Sequence, residues 1–406
     1  MSNILNMNEL SKDVFESKRV LVRVDFNVPL KEGVIQNDQR IRSALPTLKA
    51  LLKQNPAKLI LLSHLGRPKG QRVSKLSLKP VAERLSALLD EPVALISDCD
   101  QGALIAASES NERILLLENT RFYPGETKND SELAKAFAAF GDVFVNDAFG
   151  TAHRAHASTV GVTDYLPSYA GLLMSKELEA LSGIVNSPKA PFVAIIGGAK
   201  VSSKLGVILH LLERVDAIVI GGAMAYTFLA AQGKNVAHSL VEPELYETAL
   251  KVLKEAEAVN TQVILPVDSV FSKGIELESG EKVFDFDGLD SDHSDWIGVD
   301  IGPKTITDIV NCLSEANTIL WNGPMGVFEN PVFAKGTMAV AKSAAERTQK
   351  GALSLIGGGD SVAAVEQLGL ADAFTHVSTG GGASLEFLEG KILPGVAVLK
   401  KNEEKS

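Results

Sequence analysis

Two lysines, Lys200 and Lys204, lie four residues apart where an apolar run gives way to a glycine pair and a helical pattern. Residues 191–215, PFVAIIGGAKVSSKLGVILHLLERV, begin like a buried parallel strand, and the apolar positions from Val201 onward follow helical spacing. Both lysines would then lie at a helix start, where the helix dipole and their mutual repulsion disfavour them. A bound polyphosphate would turn both penalties into attractions, so the stretch predicts an anion site. Two solvated surface lysines are the alternative.

Arginine and histidine side chains follow successive predicted strands in the first half of the chain. Because ligands of open α/β sheets bind beyond the carboxyl ends of the strands, we expect these side chains to lie close together. A planar guanidinium binds carboxylate and phosphate through two parallel hydrogen bonds, so the pattern predicts a pocket for a small polyanion. For any single side chain, a surface or structural role is the alternative. The polar residues at these strand ends are Asp25, Asn27, Arg40, His64, Arg67, Glu118, Asn119, Arg121, Asn146, Asp147, His153, Arg154 and His156.

Glycines follow the predicted strands of the second half instead. Glycine lets backbone N–H groups approach phosphates and forms concave anion sites, so five such turns predict a nucleotide-binding rim. Asp360 follows three glycines in the segment GGGD and is a candidate ligand for phosphate-bound Mg²⁺. The alternative is that Asp360 is a helix N-cap. The P-loop, dinucleotide-binding and protein-kinase signatures are missing from the sequence. The turns contain Gly197–Gly198, Gly221–Gly222, Gly323, residues 357–359 and residues 380–382.

Continuous apolar strands alternate with helical patterns along both halves of the chain, which predicts parallel sheets covered by helices on both faces. We predict helices at 78–89, 131–140 and 174–183, and another that contains Ile41 and Leu52. The acidic, turn-rich stretch 271–299 is expected to be a β excursion or a long loop outside the core, and 400–406 a polar tail. The predicted strands are 20–28, 59–63, 93–96, 114–117, 143–145, 192–196, 217–220, 262–267, 318–321, 353–356 and 375–378.

Length and composition narrow the class of protein. The 406 residues are too many for one ordinary core, so we expect two domains of roughly 200 residues each. A formal net charge of −10 argues against nucleic-acid binding. No signal peptide is recognisable, and no apolar run reaches the roughly 20 residues that span a bilayer. The two cysteines fit neither a metal site nor a disulfide framework, so we expect a reducing cytoplasm.

Ten segments in order resemble the phosphoglycerate kinase family, and they cover nearly the whole chain. The resemblance implies an α/β fold of two doubly wound, Rossmann-like parallel-sheet domains joined by a helix, a bilobal hinge enzyme that is usually monomeric. It implies that residues 1–172 bind 3-phosphoglycerate, 173–190 form the connecting helix and hinge, 191–390 bind the nucleotide, and 391–406 return to the first domain. The segments are RVDFNVPL, NDQRI, SHLGRP, ENTRF, NDAFGTAHRAHAS, GGAKVSSK, GGAMAYTF, WNGPMGVFE, GGGDS and STGGGASLEF.

The implied reaction is reversible phosphoryl transfer between ATP and the carboxylate of 3-phosphoglycerate, giving 1,3-bisphosphoglycerate and ADP, and forming ATP in glycolysis. Lys200 and Arg40 would stabilise the transferring group, and Asp360 would hold Mg²⁺. Adenine would lie near Gly221 and Gly222. The implied 3-phosphoglycerate ligands are Asp25, Asn27, Arg40, His64, Arg67, Arg121 and Arg154. The implied nucleotide ligands are Lys204, Glu329, which would reach the ribose, Gly358, Gly359, Asp360 and Ser361, where the family usually has threonine.

A carboxylate acceptor is ionised at neutral pH, so the reaction needs charge stabilisation and closure of the two lobes rather than a general base. Two other functions share part of this pattern. A dinucleotide-dependent oxidoreductase would have the same alternation of strand, glycine and helix, but its fingerprint is missing. A non-catalytic anion-binding protein would explain the basic strand ends of the first half, but not the lysines and glycine turns of the second.

Overall fold

The computed structural model describes residues 4–276, 280–289 and 293–400. Contacts divide these residues into two units, the first containing 4–179 with 392–400 and the second containing the described part of 180–391. Two of the predicted segments fall partly on other residues. The polar tail beyond Lys400 and two short pieces of the 271–299 stretch lie outside the described residues.

Before the chain enters the second unit, the first unit contains eight named strands and five helices, the fifth of which continues into the second unit. The strands are β1 (Arg19–Arg23), β2 (Leu30–Lys31), β3 (Val34–Ile35), β4 (Lys58–Leu62), β5 (Val93–Ile96), β6 (Ile114–Leu117), β7 (Val143–Asn146) and β8 (Ser168–Ala170). The helices are α1 (Gln39–Leu52), α2 (Lys79–Leu89), α3 (Gln101–Glu109), α4 (Ser131–Ala138) and α5 (Leu172–Asn186).

A six-stranded parallel sheet in the order β5-β6-β4-β1-β7-β8 is the framework of the first unit. β6 and β7 are buried along their whole length, and β1 and β4 are buried apart from their first residue. Apolar clusters cover the sheet on both faces, because successive side chains of a strand point to opposite sides. β1 lies in the middle of the sheet, so the residues that follow β1, β4, β6 and β7 share its carboxyl edge.

The second unit repeats this architecture. Its strands are β9 (Phe192–Ile196), β10 (Ala217–Ile220), β11 (Gln262–Ile264), β12 (Asp268–Ser272), β13 (Lys282–Asp285), β14 (Ile297–Ile301), β15 (Thr318–Asn322), β16 (Leu353–Gly357) and β17 (His376–Val377). Its helices are α6 (Leu205–Leu211), α7 (Met224–Ala231), α8 (Tyr246–Ala258), α9 (Pro303–Glu315), α10 (Lys335–Gln349), α11 (Gly359–Gln367) and α12 (Gly382–Leu388). The chain then returns to the first unit with α13 (Pro394–Ala397).

The parallel sheet of the second unit has the order β11-β10-β9-β15-β16-β17. A separate antiparallel sheet, β13-β12-β14, contains the strands of the 271–299 stretch. The prediction of a β excursion is therefore confirmed, but its placement outside the core is wrong. Phe271, Phe286 and Trp296 are buried and pack around Tyr226 in an apolar cluster of their own.

Two further predictions need correction. The helix expected from Val201 to Val215 is a 3₁₀ turn, Val201–Ser203, followed by the short helix α6. Lys200 and Lys204 therefore flank that turn and do not share the first turn of one helix. The strand predicted at 20–28 ends at Arg23, and that at 262–267 ends at Ile264. None of the helices in the described ranges has both the length and the apolar content needed to span a membrane.

Candidate active site

Asp25, Arg40 and His64 meet at the carboxyl edge of the first sheet. Asp25 follows β1, and its Oδ2 pairs with Nη1 of Arg40 from the start of α1. His64 follows β4, and its Nδ1 lies 3.8 Å from Oδ1 of Asp25. Burial alone would raise the pKa of the Asp25 carboxyl, but the positive charges around it, including Arg40, outweigh burial and lower that pKa. The result is a buried carboxylate that holds a half-exposed guanidinium in place.

Arg121 and Asn27 fix the loop that follows His64. Asn27 Oδ1 accepts a hydrogen bond from the backbone N of Gly66 at 2.8 Å, and Nη1 of Arg121 donates to the Gly66 carbonyl at 2.8 Å. Nε of Arg121 is buried and has no hydrogen-bond partner within the described ranges. A buried donor without a partner costs free energy unless a ligand satisfies it. This guanidinium is therefore prepared for an anion.

The other two arginines of the predicted substrate set are exposed. Arg67 lies on the loop that Asn27 and Arg121 hold, and its positive charge lowers the pKa of Arg121, after the larger effect of burial. Arg154 lies in the loop after β7, and no hydrogen bond or ion pair among the described residues joins its side chain to the group. The structure thus brings Asp25, Arg40, His64 and Arg121 together, but leaves Arg154 outside their contacts.

Several other polar residues at the strand ends are structural. Glu118 accepts hydrogen bonds from the Leu78 backbone N at 2.8 Å and from Ser77 Oγ at 2.6 Å, so it fixes the entry to α2. Asn119 bonds the backbone of Leu65 through both its oxygen and its nitrogen. His156 is buried beside Glu126, and burial lowers its pKa to about 4, so it is neutral near pH 7. The contacts of Glu118 and Asn119 match the structural alternative, whereas Nδ1 of His156 is buried and has no hydrogen-bond partner among the described residues.

Arg23 is a functional candidate that the strand-end search missed. It belongs to β1, its side chain is 0% exposed, and its Nη2 lies 3.2 Å from Nδ1 of His64. The signal was present in the sequence, because a charged residue inside the apolar run VLVRV requires buried partners.

Lys204 and Asn322 meet at the carboxyl edge of the second sheet. Lys204 lies between the 3₁₀ turn and α6, and its Nζ donates to Oδ1 of Asn322, the last residue of β15. Burial lowers the pKa of Lys204, while the nearby carboxylates of Asp360 and Glu389 oppose that effect. Nδ2 of Asn322 is buried without a partner in the described part of the chain. Sequence analysis did not single out Asn322, although it precedes Gly323 in the motif WNGPMGVFE.

The glycine turns of the second unit divide into two kinds. A Cβ on Gly222 would lie 2.6 Å from the backbone N of Gly198, and a Cβ on Gly323 would lie 2.1 Å from the Gly197 carbonyl oxygen. These positions require glycine because the loops that follow β9, β10 and β15 pack backbone against backbone. A Cβ on Gly359 would have no heavy atom within 4 Å, and a Cβ on Gly358 would lie nearest to the Asn322 side chain, 3.2 Å from its Oδ1. The turn after β16 therefore has room for a ligand.

Asp360 and Ser361 occupy the first turn of α11 and differ in exposure. Asp360 is exposed, as is Glu329 after β15. Ser361 is buried, and its Oγ accepts a hydrogen bond from the Gly323 backbone N at 2.5 Å. Among the described residues no group of three His, Cys, Asp or Glu side chains could hold a metal ion. A single carboxylate beside a glycine turn suits Mg²⁺ that is bound mainly by nucleotide phosphates and water.

Comparison with known proteins gives a consistent result over nearly the whole chain. A family model described as phosphoglycerate kinase matches residues 10–391. Relatives named phosphoglycerate kinase from Thermosipho africanus and Thermosynechococcus vestitus are each 53% identical, over 96% of this chain and 96% and 98% of their own. The structure of phosphoglycerate kinase from Coxiella burnetii has a TM-score of 0.87 at 42% identity, and that from Pyrococcus horikoshii OT3 has 0.83 at 32%. Each of these two alignments covers 98% of both chains.

Proposed function

Because the chain belongs to the phosphoglycerate kinase family and catalyses reversible phosphoryl transfer between ATP and 3-phosphoglycerate in glycolysis, we propose that its two units bind one substrate each. The first unit would be the 3-phosphoglycerate domain, predicted as 1–172, and the second the nucleotide domain, predicted as 191–390. The connecting stretch 173–190 would be the hinge. Small-angle scattering should then show compaction only when both substrates are bound.

The observation that supports the substrate assignment is the group of Asp25, Arg40, His64 and Arg121. The guanidinium of Arg40 is held by Asp25, and that of Arg121 has a buried N–H without a partner among the described residues. Two such groups suit a substrate that carries both a phosphate and a carboxylate. Asn27 would position the loop that bears Arg67, and Arg154 would contribute after a side-chain movement. The proposed substrate ligands are thus Asp25, Asn27, Arg40, His64, Arg67, Arg121 and Arg154.

The nucleotide assignment is supported by the open turn at Gly358–Gly359 and by the Lys204–Asn322 pair beside it. Lys204 would hold the phosphates, and the unpartnered Nδ2 of Asn322 would donate to one of their oxygens. Glu329 would reach the ribose, and adenine would lie near Gly221 and Gly222. The backbone N–H groups of those two glycines already donate to Ile196 and Met325, so adenine would meet their surface and not their donors.

Asp360 would hold the Mg²⁺ that accompanies the nucleotide. When bound, the metal would offset charge on the phosphate oxygens. Ser361 would act mainly by fixing Gly323, because its oxygen already accepts that N–H.

Charge stabilisation would carry the reaction. The acceptor carboxylate is ionised at neutral pH, so no residue has to remove a proton from it. Arg40 and Lys200 would stabilise the negative charge of the group in transfer. Arg40 is already held by Asp25, whereas Lys200 is exposed and free to reach a substrate.

Two proposals concern the setting of the enzyme. We propose that it works as a monomer, which light scattering after size exclusion would test. We also propose a reducing, cytoplasmic compartment, which is supported by the two free cysteines, Cys99 and Cys312.

The deciding experiment measures ATP formation from 1,3-bisphosphoglycerate and Mg-ADP. Arg40→Ala and Lys200→Ala should each lower kcat by about a hundredfold or more, as for removal of a transition-state donor. Arg113→Ala and Lys234→Ala are matched controls. These exposed side chains form ion pairs with Glu91 and Asp287, respectively, and their loss should leave turnover unchanged. Full turnover in both active-site variants would contradict the assigned roles.

A further inference from the structure

Arg23 makes three hydrogen bonds in the interior of the first unit. Its Nε donates to Ser158 Oγ at 2.8 Å, its Nη1 to the Val24 carbonyl, and its Nη2 lies 3.2 Å from Nδ1 of His64. The side chain is fully buried, so these contacts replace its hydration. A buried guanidinium would be costly without them.

A compensating carboxylate lies behind Ser158. Oγ of Ser158 donates to Oε1 of Glu126 at 2.6 Å, and its backbone N donates to Oε2 at 3.0 Å. Ser158 and Glu126 are both 0% exposed. Because the Ser158 hydroxyl donates its hydrogen bond to Glu126, the hydroxyl oxygen is free to accept one from Arg23. The direction of each hydrogen bond from Arg23 through Ser158 to Glu126 is therefore fixed.

The same reasoning fixes the protonation of His64. A guanidinium has only donors, so Nδ1 of His64 must accept from Arg23 and cannot carry a proton. Asp25 Oδ1, at 3.8 Å from Nδ1, is too far to receive a proton from that nitrogen. The charged groups around the ring are Arg23, Asp25, Arg40 and Arg121, and burial together with the three arginines lowers the pKa of His64 well below its usual range. The imidazole is then neutral, and its one proton is on Nε2.

We infer that Arg23 is a positioning residue that holds His64 as the neutral Nε2–H tautomer, so that His64 offers the substrate a directional hydrogen bond and not a positive charge. The inference rests on the proposed function for the place of His64 in the substrate site. The arginines would neutralise the anion, while His64 would require an acceptor oxygen at one position. A positively charged side chain at this point would attract any nearby anion. A neutral N–H donor favours an acceptor oxygen at one position, so it adds selectivity rather than attraction.

The direct test is a long-range ¹H–¹⁵N correlation spectrum of the ¹⁵N-labelled full chain without ligand. The chain has seven histidines, and a His64→Gln spectrum would identify the signals of this ring. We expect the shift of Nδ1 to be that of an unprotonated, hydrogen-bonded nitrogen and the shift of Nε2 that of a protonated one. A proton on Nδ1, or on both nitrogens, would overturn the inference.

Adding 3-phosphoglycerate separates this inference from the proposed function. A shift of the Nε2 signal supports both. An Nε2–H ring whose signal does not move leaves the tautomer established, but contradicts the assignment of His64 to the substrate site.

Arg23→Met supplies the functional arm, because it removes the donors and nearly keeps the volume. We expect a mixture of His64 tautomers and about a tenfold rise in KM for 3-phosphoglycerate, with a smaller change in kcat. Arg19→Met is the matched control, since Arg19 begins the same strand and pairs with Asp142 near the surface. It should change neither the His64 spectrum nor KM. An unchanged His64 spectrum in Arg23→Met would overturn the role of Arg23, and the wild-type spectrum decides the tautomer even where the variant does not fold.

Discussion

Asp147 is fully buried at the end of β7, and its replacement by asparagine should change how stability depends on pH. Its Oδ1 accepts hydrogen bonds from the Leu173 backbone N at 2.9 Å and the Met174 backbone N at 3.3 Å, at the start of α5. These bonds favour the carboxylate. Burial nevertheless outweighs them and raises the pKa of Asp147 from 3.8 to about 7.

The sign follows from proton binding. Between pH 3.8 and about 7 the folded chain holds a proton on Asp147 that the unfolded chain has lost. The free energy of unfolding therefore falls as the pH rises through this interval, and is level on either side of it. Across this interval the free energy of unfolding falls by at most about 4 kcal/mol in total. Asp147→Asn keeps the accepting oxygen and does not titrate, so its stability relative to wild type should rise by up to about 4 kcal/mol between about pH 4 and pH values above neutral. Its Nδ2 would replace Oδ2, which is buried without a partner among the described residues, so a cost that does not vary with pH is added to this rise.

Urea unfolding, followed by circular dichroism from about pH 4 to about pH 8, would measure the difference between the two proteins at each pH. Taking the difference removes the contribution of the buried histidines, which is the same in both. Asp130→Asn is the control, because the exposed Asp130 also accepts a backbone N–H at a helix start, that of Leu133 in α4. A difference between wild type and Asp147→Asn that stays constant with pH would refute the reasoning.

The remaining predictions concern the second unit. Lys204→Met should raise KM for ADP about tenfold to a hundredfold, because a charge-assisted bond to phosphate is lost. Lys200→Met should mainly lower kcat. Steady-state kinetics with varied ADP concentration would distinguish the two effects. Ser361→Ala should lower the free energy of unfolding by about 1–3 kcal/mol, measured by urea unfolding, because the buried N–H of Gly323 loses its acceptor. An unchanged midpoint would show that this bond has no net value. Asp360→Asn should raise the Mg²⁺ concentration for half-maximal activity about tenfold or more, and removal of Mg²⁺ by a chelator should stop turnover in wild type.

The two parallel sheets could be predicted because strands buried on both faces are continuous apolar runs. The predicted strands 114–117 and 192–196 have the bounds of β6 and β9. The carboxyl-edge rule also predicted that polar residues of the first half lie together, and Asp25, Arg40 and His64 do meet there. Both successes depend on local pattern and on a general property of the fold.

The errors arise where distant contacts decide local structure. The stretch after Lys200 follows helical spacing, yet the first turn is 3₁₀. Glu242, from far along the chain, accepts hydrogen bonds from both the N and the Oγ of Ser202 within that turn. Lys204 at the end of the turn has φ −122°, which is outside the helical region. In the 271–299 stretch, acidic neighbours hid the aromatic core residues Phe271 and Trp296, which pack against distant partners.

The glycines show why residue type alone could not define the nucleotide site. Each turn of the second half was expected to bind phosphate, but Gly222 and Gly323 are required by close packing against Gly198 and Gly197. A glycine turn allows the backbone to approach a phosphate, but it equally allows the backbone to approach another backbone segment. The sequence alone does not distinguish these two roles. The packed turns have a consequence for the site, because they bring the ends of β9, β10 and β15 together and hold Asn322 beside Lys204. Lys204 is therefore fixed before any nucleotide binds, whereas Lys200 is exposed and must be ordered by the substrate. This difference in preorganisation is the physical reason to expect an effect on nucleotide KM from one lysine and on kcat from the other.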